Sequence, residues 1–231
     1  MNKALELSAQ IEQRILAGEW LPGDRLPSQV HLMADFGVAR TTVRESLSQL
    51  QSRGVLRSQH GSGTYVNNLF ESVFLPPLNQ LPLHDSHTQL AVLEMRQVLE
   101  GEAAYHACQR ASDVELQGIS DEYQCMLQRP GKMPVIERSK ADLKFHMLIA
   151  QASHNLIVAS LSQLLYSKMF NTIFAARSGG LLEQPTYSEA VHSQHLRIHE
   201  ALMNRDALEA KQAAEDHARH TAQMLRQQLQ S

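Results

Sequence analysis

Over residues 1–66, glycines cut the chain into short segments of helical apolar periodicity, and this punctuation restricts the N-terminal fold more tightly than any other feature. In residues 4–17, Leu7, Ile11 and Ile15 recur on one stripe with Leu16 beside it, which predicts an amphipathic helix stopped by Gly18. A turn follows at Leu21-Pro22-Gly23-Asp24. Ser28 then stands where an N-cap belongs, and Leu32, Met33 and Phe36 form a short apolar face ended by Gly37. A third helix is expected from about Ala39 to Arg53, burying Val43, Leu47 and Leu50. After Gly54, the segments VLRSQ and TYVNN read as two strands joined by His60-Gly61-Ser62-Gly63, which has the glycines a hairpin turn needs. Three helices followed by a hairpin make a winged helix-turn-helix, expected over residues 1–67.

From Asn67 to about Ser86, Pro76, Pro77 and Pro82 fall at a spacing through which no helix runs, so 68–86 is expected to be a linker. Its scattered leucines imply that it packs on a domain. Beyond it the periodicity is helical at about 88–111, 113–128, 133–153, 155–178, 186–204 and 206–228. Gly179-Gly180 and Pro185 interrupt one connection, and Asn204-Arg205-Asp206 makes a short turn between two antiparallel candidates. The fold class is therefore mostly α: a winged helix-turn-helix, then an all-helical antiparallel bundle over 87–231.

The net charge of −3 hides a segregation. Residues 1–66 carry seven Lys/Arg and six Asp/Glu, net +1, and the remainder carries fourteen and eighteen, net −4. Between Arg40 and Gly61, four arginines (Arg40, Arg44, Arg53, Arg57) face only Glu45, a phosphate footprint. Cys108 and Cys125 form no CxxC pair, so neither a disulfide framework nor a thiolate metal site is indicated, and a reducing compartment fits. No apolar signal segment precedes the polar start, and no apolar run approaches the roughly 20 residues of a bilayer span. A cytoplasmic protein without membrane contact is expected.

The third helix opens with Arg40, Thr41, Thr42 and Arg44, which can offer guanidinium groups to guanine O6/N7 and hydroxyls to phosphates from the major groove. His60 and Gly61, at the hairpin tip, can approach phosphates or the minor groove. An isolated RTTVR is as readily a solvated helix face; what makes it specific is its place after a short helix and glycine turn and before a glycine-rich hairpin. In LPSQVHLMADFGVARTTVRESLSQLQSRGVLRSQHGSGTYV the chain resembles the GntR family of bacterial regulators. Its second part resembles the FadR-type (FCD) domain of that family, through VLEMRQVLEGEAA and DLKFHMLIAQASHN. The resemblance implies double-stranded operator DNA as partner, contacted by Ser28, Arg40, Thr41, Thr42, Arg44, His60 and Gly61. One recognition helix reads few bases, so a homodimer on a palindromic operator is expected. The chain departs from the family's PSERxLA segment, reading Pro27-Ser28-Gln29-Val30-His31 instead, with His31 in a position to substitute for the missing arginine.

Ten of the twelve histidines follow residue 67. Asp142 and His146, four apart, share one helix face, while His195 lies on a later helix and His217 on the last, where antiparallel packing can bring them alongside. One carboxylate with three neutral imidazoles suits a divalent ion: Zn²⁺ first, with Ni²⁺ or Mn²⁺ also compatible. A lone histidine in a bundle is usually a surface or hydrogen-bonded residue. The four are read together because the metal-binding branch of the FadR-type domains uses an Asp-x3-His pair, a histidine on the penultimate helix and one on the last. His192, His199 and His220 lie off that register. The resemblance also places Arg96 toward the cavity as an effector-binding residue, although spacing alone equally allows an intrahelical pair with Glu100. Asn171 is a second effector-binding candidate. The second domain is similar to regulators answering lactate or glycolate, notably across DLKFHMLIAQASHN and MFNTIFA, which implies a small hydroxy- or oxo-carboxylate effector and a repressor rather than an enzyme. Two alternatives stand beside it: a metal-dependent enzyme, which lacks HExxH and a convincing general base, and a regulator whose metal is purely structural.

Overall fold

The computed structural model describes residues 3–68, 70–71, 85–127, 135–177 and 185–228; within these, the side chains of 135–136, 138–139, 167–177, 185–189 and 228 lie outside the description. The chain divides into two compact units, Met1–Pro77 and Leu78–Ser231. Most of the expected linker, 72–84, lies outside the described residues.

In the first unit α1 (Lys3–Leu16) packs on α3 (Arg40–Ser52), and α2 (Gln29–Phe36) also leans on α3. The periodicity explains why: Leu7, Ile11 and Ile15 on α1 and Val43, Leu47 and Leu50 on α3 are all buried. Leu16, expected beside that stripe, is 66% exposed, because one step past Ile15 turns the side chain by about a quarter turn toward solvent. Ser28 caps α2, its hydroxyl accepting from the His31 backbone N–H at 3.3 Å, and Gly37 ends α2 in the left-handed region at φ 64°. Strand β1 (Leu56–Gln59) pairs antiparallel with β2 (Gly63–Val66), with Leu56 opposite Val66 and Gln59 opposite Gly63. Gly63 is thus part of the ladder, and the wing tip is the three residues His60-Gly61-Ser62 rather than four. The outer edge of β2 is covered by the preceding segment, where Leu26 N–H donates to Thr64 O (2.9 Å) and Val66 N–H to Asp24 O (3.0 Å).

The second unit contains α4 (Ser86–Arg110), α5 (Asp113–Leu127), α6 (Val135–Ala152), α7 (Leu156–Arg177), α8 (Pro185–Met203) and α9 (Ala207–Gln228). Pairings between helices give their directions. Glu94 meets Arg226 and Glu102 meets Lys211, so α4 and α9 run antiparallel. Arg96 faces Asp142 and Arg110 donates to Ser153 O, so α4 and α6 run parallel, as an up-down bundle requires of every second helix. Small residues let α4 and α9 approach closely: Ala103, Ala104 and Ala107 are buried on one, Ala210, Ala213 and Ala214 on the other. At Gly101 a Cβ would stand 2.7 Å from Glu215 Cγ, so a side chain there would force Glu215 to shift. The α8–α9 turn is anchored by Arg205, whose guanidinium donates to Cys108 O, Ala111 O and Asp113 Oδ1 at 2.9–3.1 Å. No helix among the described residues is long and apolar enough to cross a membrane.

Candidate metal and effector site

Arg96 and Glu100 interrupt the apolar stripe of α4, flanked by buried Leu93, Leu99, Ala103 and Ala104. The stripe faces the bundle, so both charges are carried inside, 2% and 3% exposed. Asp142 and His146 lie one turn apart on α6, and Phe145 between them is fully buried, its ring edge-on to His146 and His195 with centroids 5.4 Å away in each case. His195 comes from α8 and His217 from α9. The four expected ligands converge: one donor atom from each of Asp142, His146, His195 and His217 lies within 4.8 Å of all the others, and all four residues are buried.

The contacts show how each ring is turned. His195 Nε2 is 3.2 Å from Asp142 Oδ1 and 3.3 Å from His146 Nε2. Gln194 Oε1 accepts from His217 Nδ1 at 3.0 Å, which leaves the Nε2 lone pair for the cluster. Arg96 Nη2 stands 3.4 Å from His217 Nε2 and 3.8 Å from Asp142 Oδ2, while its Nε donates to Glu100 Oε1. The pair with Glu100 and the inward position, set against each other on spacing alone, are both present. Tyr166 on α7 also donates to Glu100 Oε1, at 3.0 Å.

These surroundings set the protonation states. Burial opposes charge on Asp142, but the His195 hydrogen bond, the neighbouring imidazoles and the Arg96 guanidinium outweigh burial and hold the carboxyl well below its usual range. Burial, with Arg96 adding repulsion, pushes the imidazoles of His146 and His217 well below theirs. Burial also raises the carboxyl of Glu100, with Arg96 opposing, and the phenol of Tyr166. An anionic carboxylate and neutral imidazoles are the forms in which these side chains ligate a metal. Atoms about 2.1 Å from a common Zn²⁺ stand about 3.4 Å apart in a tetrahedral set; the His195 separations from Asp142 and His146 are near this value at 3.2 Å and 3.3 Å, and all four donors lie within 4.8 Å of one another.

Asn171 lies on α7, but its side chain is outside the described residues. Tyr166 and Gln194 are not reached by sequence reasoning, and Glu100 is visible there only as a helix partner of Arg96. A charged pair on an otherwise apolar stripe was the available signal for Glu100. His199, placed off the ligand register, stacks on Tyr123 at 4.4 Å and pairs with Ser120.

In the first unit, Arg40, Thr41 and Arg44 are exposed and Thr42 is half-buried in the first turns of α3, whereas Val43 and Leu47 are buried. His60 and Gly61 are exposed at the wing tip, with Gly61 at φ 71° and open space where a Cβ would lie. Arg57 lies over the Tyr65 ring, 5.2 Å from its centroid. Arg53, counted in the basic stretch, pairs with Glu12 of α1 at 2.6 Å while staying largely exposed. Ser28 and His31 are exposed, with the Ser28 hydroxyl 2.8 Å from His31 Nδ1.

Comparison with known proteins agrees with this architecture. Residues 3–66 match the family described as bacterial regulatory proteins, gntR family, and residues 91–220 match the FCD domain. The chain is 32% identical over 216 residues to the Glc operon transcriptional activator of Escherichia coli K12, covering 92% of this chain and 85% of that protein. It is 29% identical over 199 residues to a protein of the same organism named "Putative L-lactate dehydrogenase operon regulatory protein", covering 84% of this chain and 75% of the other. A solved GntR protein of Streptococcus agalactiae shares the fold, with a TM-score of 0.56 at 22% identity, over 95% of this chain and 99% of that one.

Proposed function

The chain belongs to the GntR family of bacterial transcription regulators, in the branch that carries an FCD domain, and from that premise we propose a repressor whose operator affinity is set by a small carboxylate bound at a divalent metal ion. Its relatives are regulators, not enzymes, so the cluster is read as a sensor rather than as a hydrolytic site. The observation that carries the reading is the buried convergence of Asp142, His146, His195 and His217 beside the Nη2 of Arg96.

Asp142, His146, His195 and His217 would hold the ion, Zn²⁺ first among Zn²⁺, Ni²⁺ and Mn²⁺, and the ion supplies a Lewis-acidic point for an oxygen of the effector. Charge then favours an anionic ligand. With both carboxylates ionised, Arg96 (+1), Glu100 (−1) and Asp142 (−1) sum to −1; a dication brings the site to +1, and one carboxylate to zero. Arg96 offers a planar guanidinium that holds a carboxylate in a fixed orientation, and Asn171 is the second proposed effector contact. The names of the two relatives, which refer to Glc and L-lactate dehydrogenase operons, favour a small hydroxy acid such as glycolate or lactate.

The DNA face is assigned to Arg40, Arg44, Thr41 and Thr42 on α3, with Ser28 at the start of α2 and His60 and Gly61 on the wing. Domain bounds of 1–67, 68–86 and 87–231, a homodimer, a palindromic operator and a cytoplasmic location complete the proposal. The acid acts by binding the DNA-competent and released states unequally, since only differential affinity shifts their populations. Metal analysis of the purified protein, followed by a thermal-shift screen of small acids with and without the bound ion, tests it. Stabilisation by a hydroxy acid only in the metal-loaded protein is expected; equal stabilisation of stripped protein, or no bound metal, overturns it.

A further inference from the structure

Glu100 is a buried carboxylate that the proposed ligand set does not use. Its two oxygens look in different directions. Oε1 receives Arg96 Nε and the Tyr166 hydroxyl, the latter at 3.0 Å. Oε2 has no hydrogen bond of its own and lies 3.3 Å from His146 Nδ1, on the opposite side of that ring from the Nε2 which faces His195. An unpaired carboxylate oxygen inside a bundle is costly unless something uses it. A neutral imidazole ligating through Nε2 carries its proton on Nδ1, and a small rotation of the ring aims that proton at Oε2.

Resting on the metal reading above, we propose that Glu100 is a positioning residue that couples the effector clamp to the metal ligand set: through Oε2 it fixes the tautomer and tilt of His146, and through Oε1 it holds Arg96. One carboxylate therefore serves both halves of the site. When an acid takes the Nη groups of Arg96, less of the guanidinium charge is left on Glu100, and Glu100 accepts more strongly from His146 Nδ1–H. His146 becomes a better donor to the ion. Acid and metal then tighten each other's binding, and by linkage the two enhancements are equal. Tyr166 buttresses the same oxygen from α7, so its removal weakens the arrangement without removing the carboxylate.

The experiment is titration of Co²⁺ into full-length, metal-stripped protein, followed by visible absorption, with and without glycolate as probe acid. Parent protein is compared with Glu100→Gln, Glu100→Asp and Tyr166→Phe. For Glu100→Gln, Co²⁺ affinity is expected to fall by about tenfold to a hundredfold, as for loss of groups that orient a ligating histidine. The Co²⁺ bands should shift, and the enhancement by glycolate should vanish. Glu100→Asp keeps the charge but withdraws it from His146, and shares these changes; Tyr166→Phe shows them in smaller measure. A purely structural role would lower thermal stability while leaving the spectrum and the glycolate enhancement unchanged, and that result overturns the inference. If Glu100→Gln does not fold, unchanged affinity, spectrum and enhancement in both other variants overturn it equally. A parent that binds no Co²⁺ overturns the metal reading and the inference together, whereas a parent that binds and variants that match it overturn the inference alone.

Discussion

The two units place their charges in opposite ways. On α3 and the wing, Arg40, Arg44 and Arg57 stand in solvent, where charge carries little desolvation cost and is open to an external partner. In the bundle, Arg96, Glu100 and Asp142 are carried inside with three histidines, where each charge depends on the others. The difference teaches where substitutions will be felt. Removing a surface arginine should alter binding and leave folding alone, whereas removing one member of the buried set should alter both.

The largest expected effect is therefore in the bundle. Arg96→Ala leaves Glu100 and Asp142 without their shared cation, so the second unit should lose about 3–5 kcal/mol of stability and its response to acid. Denaturant unfolding followed separately for the two units measures it. A loss below about 1 kcal/mol would erase the contrast. Arg96→Lys, which keeps the charge but not the fork, should recover most of the stability and little of the acid binding.

His217→Ala removes one ligand while sparing the anion pair. Metal binding and effector response should fall together, and operator binding without effector should survive, as read by calorimetry beside operator titrations. Retention of the full response would detach the cluster from sensing.

Next in size is Arg40→Ala, expected to cost roughly 1–3 kcal/mol of operator binding and to relax base preference, with a stability change within about 0.5 kcal/mol. Arg57→Ala should weaken operator and random DNA alike. Equal losses on both DNAs for Arg40→Ala would reassign it to phosphate contact.

The contrast also sharpens with pH. His146 and His217 have folded-state values depressed by burial and then by neighbouring charge. Their contribution is complete above the unfolded value of about 6.5 and is lost as pH falls below it, because the unfolded chain then takes up protons that the folded one refuses. Metal-stripped protein should lose bundle stability below about pH 6.5, while the winged unit, with no such buried histidine among its described residues, stays level. The smallest effect is Arg53→Ala, whose exposed pair with Glu12 should be worth about 0.2–1 kcal/mol.

The same contrast governs what could be read from the sequence. Helix stripes, the Ser28 cap, the stops at Gly18 and Gly37 and the hairpin are local signals, and the structure keeps them with boundary shifts of a residue or two. Asp142 and His146 were legible together because four residues make one helical turn, and His195 and His217 followed from the family pattern. Tyr166 and Gln194 carry no such mark: each is an ordinary helix residue that becomes part of the site only because α7 and α8 pack against α4 and α9. The partner of Arg53 is hidden for the same reason, since Glu12 lies on α1, 41 positions earlier. Glu100 lay in between, visible as an i+4 partner of Arg96 but not as a neighbour of His146.

The most direct measurement is operator affinity at fixed salt for metal-loaded and metal-stripped protein, each with and without saturating glycolate or L-lactate. One of these acids is expected to lower operator affinity in the metal-loaded protein and to leave it unchanged in the stripped protein and in Arg96→Ala. A full response from stripped protein, or from Arg96→Ala, would contradict this.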